Sequence, residues 1–178
     1  MHSRDLEDLT LLLVRDEEEP AMWLDRWLLS YPVAYMAKVS RHQRITDWQS
    51  ILQTAFDAIC SKNTAVVAHG AGVSGFLAWL YLADMNTQRK VRNIILVSPL
   101  QDAFPDDAEH SLQRVRCHCP AALVIGRQDL ACPEDWAERQ ARLWNMRLLI
   151  APEEGRLNGN LQGWQWGMKL MQEMLRSE

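Results

Sequence analysis

The chain has 178 residues, 48% hydrophobic and 24% charged, with a formal net charge of −4, which suits one domain (1–178) with a core of its own and argues against a nucleic-acid or anionic-membrane surface as its working partner. The N-terminal MHSRDLEDLT leads into LTLLLV, far too short for a signal-peptide core or a membrane span, so a cytoplasmic protein is expected. Its four cysteines, Cys60, Cys117, Cys119 and Cys132, are irregularly spaced and are expected to be reduced thiols.

Short apolar runs alternate with longer amphipathic ones along the chain. Leu9 to Val14 reads as a first strand, followed by the acidic run Arg15-Asp16-Glu17-Glu18-Glu19-Pro20 and a helix from Pro20 to Ser30. Val33 to Val39 and Thr64 to Ala68 are the next strands, each followed by a helix, from Thr46 to Ser61 and from Ala71 to Asp84. Val91 to Val97 is a fourth strand, and Ser98 to Pro120 is a long, acidic connection that is either a cover over the sheet edge or plain surface chain. The strands Ala121 to Ile125 and Arg147 to Ala151 alternate with helices from Pro133 to Trp144 and from about Leu161 to Arg176. Pro20 and Pro133 are placed in the first turns of their helices, where a missing N–H costs nothing.

This alternation predicts an α/β fold: a three-layer α/β/α sandwich around a mostly parallel sheet of about six strands, with function at the C-terminal strand edges. Trp27, Trp48, Trp79, Trp136 and Trp144 lie on predicted helices and are expected to face the core. Trp164 and Trp166 are one residue apart and cannot share a helical face, so at least one should pack at a loop or pocket edge.

Cofactor signals are weak. Cys117-His118-Cys119 could begin a zinc site, but no second CxxC or HxxxH follows, so a turn ending at Pro120 is the better reading, with no metal. No flavin signature and no phosphate-cradling GxxxxGK[ST] occur. Gly70, Gly72 and Gly75 formally match G-x-G-x-x-G, but Lys90 to Asn93 stand where the ribose-binding acid is needed. No cofactor is expected.

The informative stretch is AVVAHGAGVSG, residues 65 to 75, a strand that turns sharply into a helix. Ala68-His69-Gly70-Ala71-Gly72 has the small residues of the nucleophile elbow G-x-S-x-G, with Gly70 where the serine stands. Around it lie Trp23, Trp27 and Trp48, then VVAHGAG, ILVSP, VIGRQDLACP and EGRLNGNLQGWQWGMKLM, in that order. On these residues the chain resembles, over nearly its whole length, the small serine hydrolases of the retinoblastoma-binding-protein-9 and YdeN type, compact members of the α/β-hydrolase fold.

The resemblance implies that the family's nucleophile falls on Gly70, its acid on Asp129 and its general base on Arg156. Glycine has no oxygen to attack a carbonyl, and arginine cannot accept a proton. The histidines are His2, His42, His69, His110 and His118; none follows Asp129, so the fold's usual order of serine, acid and histidine is unavailable. Relatives carry P-G-x-x-x-S after the first strand, where backbone N–H groups help hold an oxyanion; here the acidic run 16 to 19 either alters that pocket or points to water.

Ser74 and Cys132 are the candidate replacement nucleophiles, although each is more simply a packing residue. His69 is given a role in shaping the elbow. Arg156 is expected either to pair bidentately with Asp129 or to point into the vacated pocket and hold a carboxylate or phosphate. His69, Ala71, Cys132, Asn158 and Trp164 are the candidate pocket residues. Two functions follow: a catalytically inactive homologue that binds a protein or small-molecule ligand, or an esterase-like hydrolase rebuilt on Cys132 or Ser74.

Overall fold

The computed structural model describes residues 8–104 and 111–177. Six strands, β1 (Leu9–Asp16), β2 (Ala34–Val39), β3 (Asn63–His69), β4 (Val91–Val97), β5 (Ala121–Arg127) and β6 (Arg147–Glu154), form one sheet in the order β2-β1-β3-β4-β5-β6. All five pairings are parallel. The helices are α1 (Trp23–Ser30), α2 (Ile45–Asp57), α3 (Ala71–Leu82), the single turn α4 (Met85–Gln88), α5 (Glu134–Trp144) and α6 (Gln165–Arg176).

Period-two alternation sorts the strand side chains between two cores. Leu12, Val14, Val66, Ala68 and Leu96 pack under α2, α3 and α5, whereas Leu11, Leu13, Val67, Ile95 and Val124 pack under α1 and α6. Helices therefore cover both faces of the sheet, which is the fold of an α/β hydrolase. Leu11, Leu12 and Leu13 are wholly buried, each contributing about 2 kcal/mol of transfer free energy. The strand order reverses between β1 and β3, and a crevice at the C-terminal ends is expected there.

Several boundaries move relative to the sequence reading. α1 begins at Trp23, so Pro20 lies in the preceding loop, and Pro133 stands at the N-cap of α5 instead of its first turn. α2 ends at Asp57 and α3 at Leu82, and α4 was not anticipated. The last helix does not run continuously from Leu161: a 3-10 turn at Leu161–Gly163 is broken by left-handed backbone at Trp164, and α6 starts at Gln165. The five tryptophans placed in the core are buried. Trp164 is also fully buried, its ring 4.4 Å from that of Trp23, and Trp166 is the half-buried one. Part of the Ser98 to Pro120 connection, 105–110 with His110, lies outside the described residues, as does His2.

Among the described residues no helix is long and apolar enough to cross a membrane. Nor do three or more His, Cys, Asp or Glu side chains converge there as a metal site.

Candidate functional site

The C-terminal edge of the sheet gathers residues from five strand ends: Asp16 ending β1 and Glu19 after it, His69 ending β3 and Gly70 after it, Ser98 after β4, Asp129 after β5 and Arg156 after β6. Gly70 is the pivot. Its φ of 60° and ψ of −128° are open to glycine but strained for any other residue. Its N–H donates to the Val97 carbonyl at 3.1 Å, which ties the turn to β4. Two residues on, a β-carbon at Gly72 would fall 2.4 Å from the Val14 carbonyl oxygen. Only glycine lets α3 start so close to β1.

A β-carbon placed on Gly70 would point into a cluster of charge, 3.3 Å from Arg156 Nη2, 3.7 Å from Glu19 Oε1 and 3.8 Å from Asp16 Cβ. Arg156 Nη2 donates to Glu19 Oε1 at 3.2 Å and to the Ser98 carbonyl at 3.4 Å, while Nη1 donates to Asp129 Oδ2 at 3.4 Å. The guanidinium thus divides itself between two carboxylates, a correction to the bidentate pair on Asp129 expected from sequence. Glu19 was not anticipated as its partner. The side chains of Glu19 and Asp129 are 7% and 1% exposed and that of Arg156 is 20% exposed, so the cluster is largely shielded from solvent.

Burial opposes ionisation of Glu19, but the Asn158 amide, donating at 3.0 Å to Oε2, and the Arg156 charge together hold its carboxyl below the ordinary value. Asp129 is fixed locally, its Oδ1 accepting from the Ala131 N–H at 3.0 Å. Within the acidic run Glu17 is exposed and Glu18 is held by Ser40, Arg41 and His42, whereas Asp16 and Glu19 turn inward. Asp16 accepts from Arg41 at 2.7 and 3.1 Å. The buried Arg15 braces the loop through Asp25 and the carbonyls of Glu19 and Pro20.

His69 is fully buried beneath the turn, and its Nε2 lies 2.8 Å from the Arg156 carbonyl. Burial, with the Arg156 charge adding to it, lowers its pKa from 6.5 to about 4. The ring is therefore neutral at pH 7, with Nε2–H as donor. His69 Nδ1 and Ser98 Oγ are buried without hydrogen-bond partners among the described residues. Ser98 has a φ of 44°, unusual for a side-chain-bearing residue and, before Pro99, doubly restricted.

The other candidates are dispersed. Ala71 opens α3 and is fully buried. Ser74 is buried within α3, its hydroxyl without a hydrogen-bond partner among the described residues. Cys132 is 1% exposed, and burial together with the Asp129 charge pushes its thiol up to about 12. Trp164 sits in the α1–α6 core, its Nε1 donating to Glu153 at 3.2 Å. As arranged, the centre holds charge in internal pairs; its hydroxyl and thiol groups lie within the packing around it.

Comparison with known proteins places these features in a lineage. The sequence profile of the serine hydrolase family matches residues 15–173. No curated protein matches the chain in sequence. Among solved structures, a protein described as a YdeN-like hydrolase from Pectobacterium atrosepticum superimposes with a TM-score of 0.80 at 15% identity, covering 98% of this chain and 94% of that one. The ydeN gene product of B. subtilis gives 0.65 at 14% identity, over 92% and 99% of the two chains. Carboxylesterase CesB (YbfK) from Bacillus subtilis gives 0.62 at 14%, over 95% and 83%. At these identities the likeness is one of fold.

Proposed function

Because the chain belongs to the serine hydrolase family, we propose that it is a member in which the catalytic centre has become a structural one, leaving a binding or regulatory protein. One observation carries this reading: the β-carbon direction of Gly70, from which the family's nucleophile would act, ends 3.3 Å from a guanidinium. Acyl transfer needs a nucleophile within reach of a base and an orienting acid. Here the first position has no side chain, and the second carries a permanent cation held by Asp129 and Glu19. Asp129 is kept, on this reading, because its loss would leave a shielded arginine half-paired.

The second reading, an esterase-like hydrolase with a rebuilt site, is favoured by the family itself and by the fold shared with a carboxylesterase. It would need Cys132 or Ser74 to become exposed and activated, from a buried thiol and a buried hydroxyl.

Labelling with a fluorophosphonate probe, mapped by mass spectrometry, tests the proposal. The natural chain should be inert, while the Gly70→Ser, Arg156→His double variant should label at position 70. Labelling of the natural chain at a defined serine overturns the proposal. Ester turnover abolished by Cys132→Ala or Ser74→Ala would establish the second reading. The ligand of the binding protein is sought by thermal shift with small carboxylates and phosphates; since Arg156 is already paired twice, such an anion must displace Glu19 or Asp129 to bind there.

A further inference from the structure

The opposite, N-terminal edge of the sheet carries two clefts that adjoin across Cys119 and Pro120. The first, about 230 Å³, has an apolar floor of Leu80, Val91 and Ile94 and is flanked by Arg89, Arg92 and His118. The second, about 340 Å³, runs on between α5 and the start of β6, with Met146 inside it and Arg142 and Arg147 along it. Neither is lined by a carboxylate, nor by Phe, Tyr or Trp, among the described residues. Arg142 is engaged with Glu138 at 2.7 Å; Arg89 and Arg147 are exposed and have no ion pair among the described residues. Met85, which lines the first cleft, is 52% exposed, and Leu82, two residues beyond Leu80 of its floor, is 64% exposed.

We propose that this double cleft is a docking groove for an extended acidic peptide segment of a partner protein, one that alternates carboxylates with apolar side chains. Arg89 and Arg147 supply charge complementarity, which speeds encounter and fixes register. The apolar floor and the exposed Leu82 and Met85 supply the area that a purely ionic ligand would leave uncovered. A single-stranded nucleic acid fits less well, because no Phe, Tyr or Trp lines the groove among the described residues for bases to stack on. A second copy of this chain is the remaining occupant, since its opposite edge presents Glu17 to solvent, Glu18 being held by Arg41 and His42. The groove is remote from Gly70, so the inference stands whether or not that centre is catalytic.

Fluorescence anisotropy with the full chain and a labelled peptide of alternating glutamate and leucine tests it. Binding should weaken as salt is raised, by about tenfold in Arg89→Glu, Arg147→Glu, and comparably in Leu82→Asp, Met85→Asp. All four side chains are exposed, and unchanged urea midpoints would establish that the variants fold. No binding, or binding equal in the variants, overturns the proposal. So does tighter binding of an oligothymidylate of the same charge. Self-association in sedimentation that the arginine variant abolishes overturns it in favour of a second copy.

Discussion

Arg156 Nη2 lies 3.3 Å from the point at which a side chain on Gly70 would begin. The two positions therefore crowd one another: a methyl at 70 would require the guanidinium to give way slightly, and it must also be carried at a φ of 60°. Gly70→Ala is expected to lose about 1–2 kcal/mol in urea unfolding. Repeating it in an Arg156→Ala background removes the steric part, so the two changes should couple by at least about 0.5 kcal/mol. Strictly additive costs would mean that the guanidinium does not occupy the elbow.

Arg156→Met removes the cation that Glu19 and Asp129 share, leaving two carboxylates with little solvent. Breaking such a pair costs about 2–3 kcal/mol, the upper range being reduced because the arginine is partly exposed. The sign with pH follows from Glu19, whose carboxyl Arg156 helps hold below its ordinary value of 4.5. That contribution is complete above 4.5 and is lost as pH falls through the lower folded value. The gap between natural chain and variant should therefore be widest near pH 7 and narrow towards pH 3. A gap that stays constant with pH would assign the loss to packing alone.

The periodicity that revealed the sheet is a property of neighbours in sequence, and the parts it missed are contacts between distant residues. α1 was placed three residues early because nothing near Pro20 signals that Arg15 holds the carbonyls of Glu19 and Pro20, or that Asp25 binds the Met22 N–H. The break before α6 has a similar origin. A β-carbon at Gly167 would fall 2.2 Å from the Trp164 ring, so that ring lies over Gly167 and against Trp23, at the cost of left-handed backbone at Trp164. The pivot at Gly70 was legible, since its small neighbours announce a tight turn. The direction of Glu19 was not, because the arginine that turns it inward is 137 residues away.

Thiol reactivity separates the cysteines. Cys60 is exposed, whereas Cys132 is 1% exposed and its thiol is pushed up to about 12 by burial and by Asp129. The thiolate is the reactive form, so iodoacetamide at pH 8 should alkylate Cys60 at least about a hundredfold faster than Cys132 in the folded chain. Equal rates, followed by peptide mapping, would reveal an accessible and activated Cys132, as the rebuilt-hydrolase reading requires.

His69 should leave a signature in acid stability. Its imidazole, buried under the elbow and facing the charges of Arg156, Glu19 and Arg15, protonates at about 4 instead of 6.5. Between those values the unfolded chain binds a proton that the folded chain refuses. Stability therefore falls as pH drops through this window, and the loss is complete below the folded pKa. The full span amounts to about 3 kcal/mol. Glu19 acts in the same direction, but below its ordinary 4.5, so the slope between pH 6.5 and 4.5 isolates the histidine. His69→Asn should lower stability at pH 7, through the altered bond to the Arg156 carbonyl, yet flatten that slope by about one proton. A variant that keeps the slope would place the titrating group elsewhere and would mean that His69 binds its proton alike in the folded and unfolded chain.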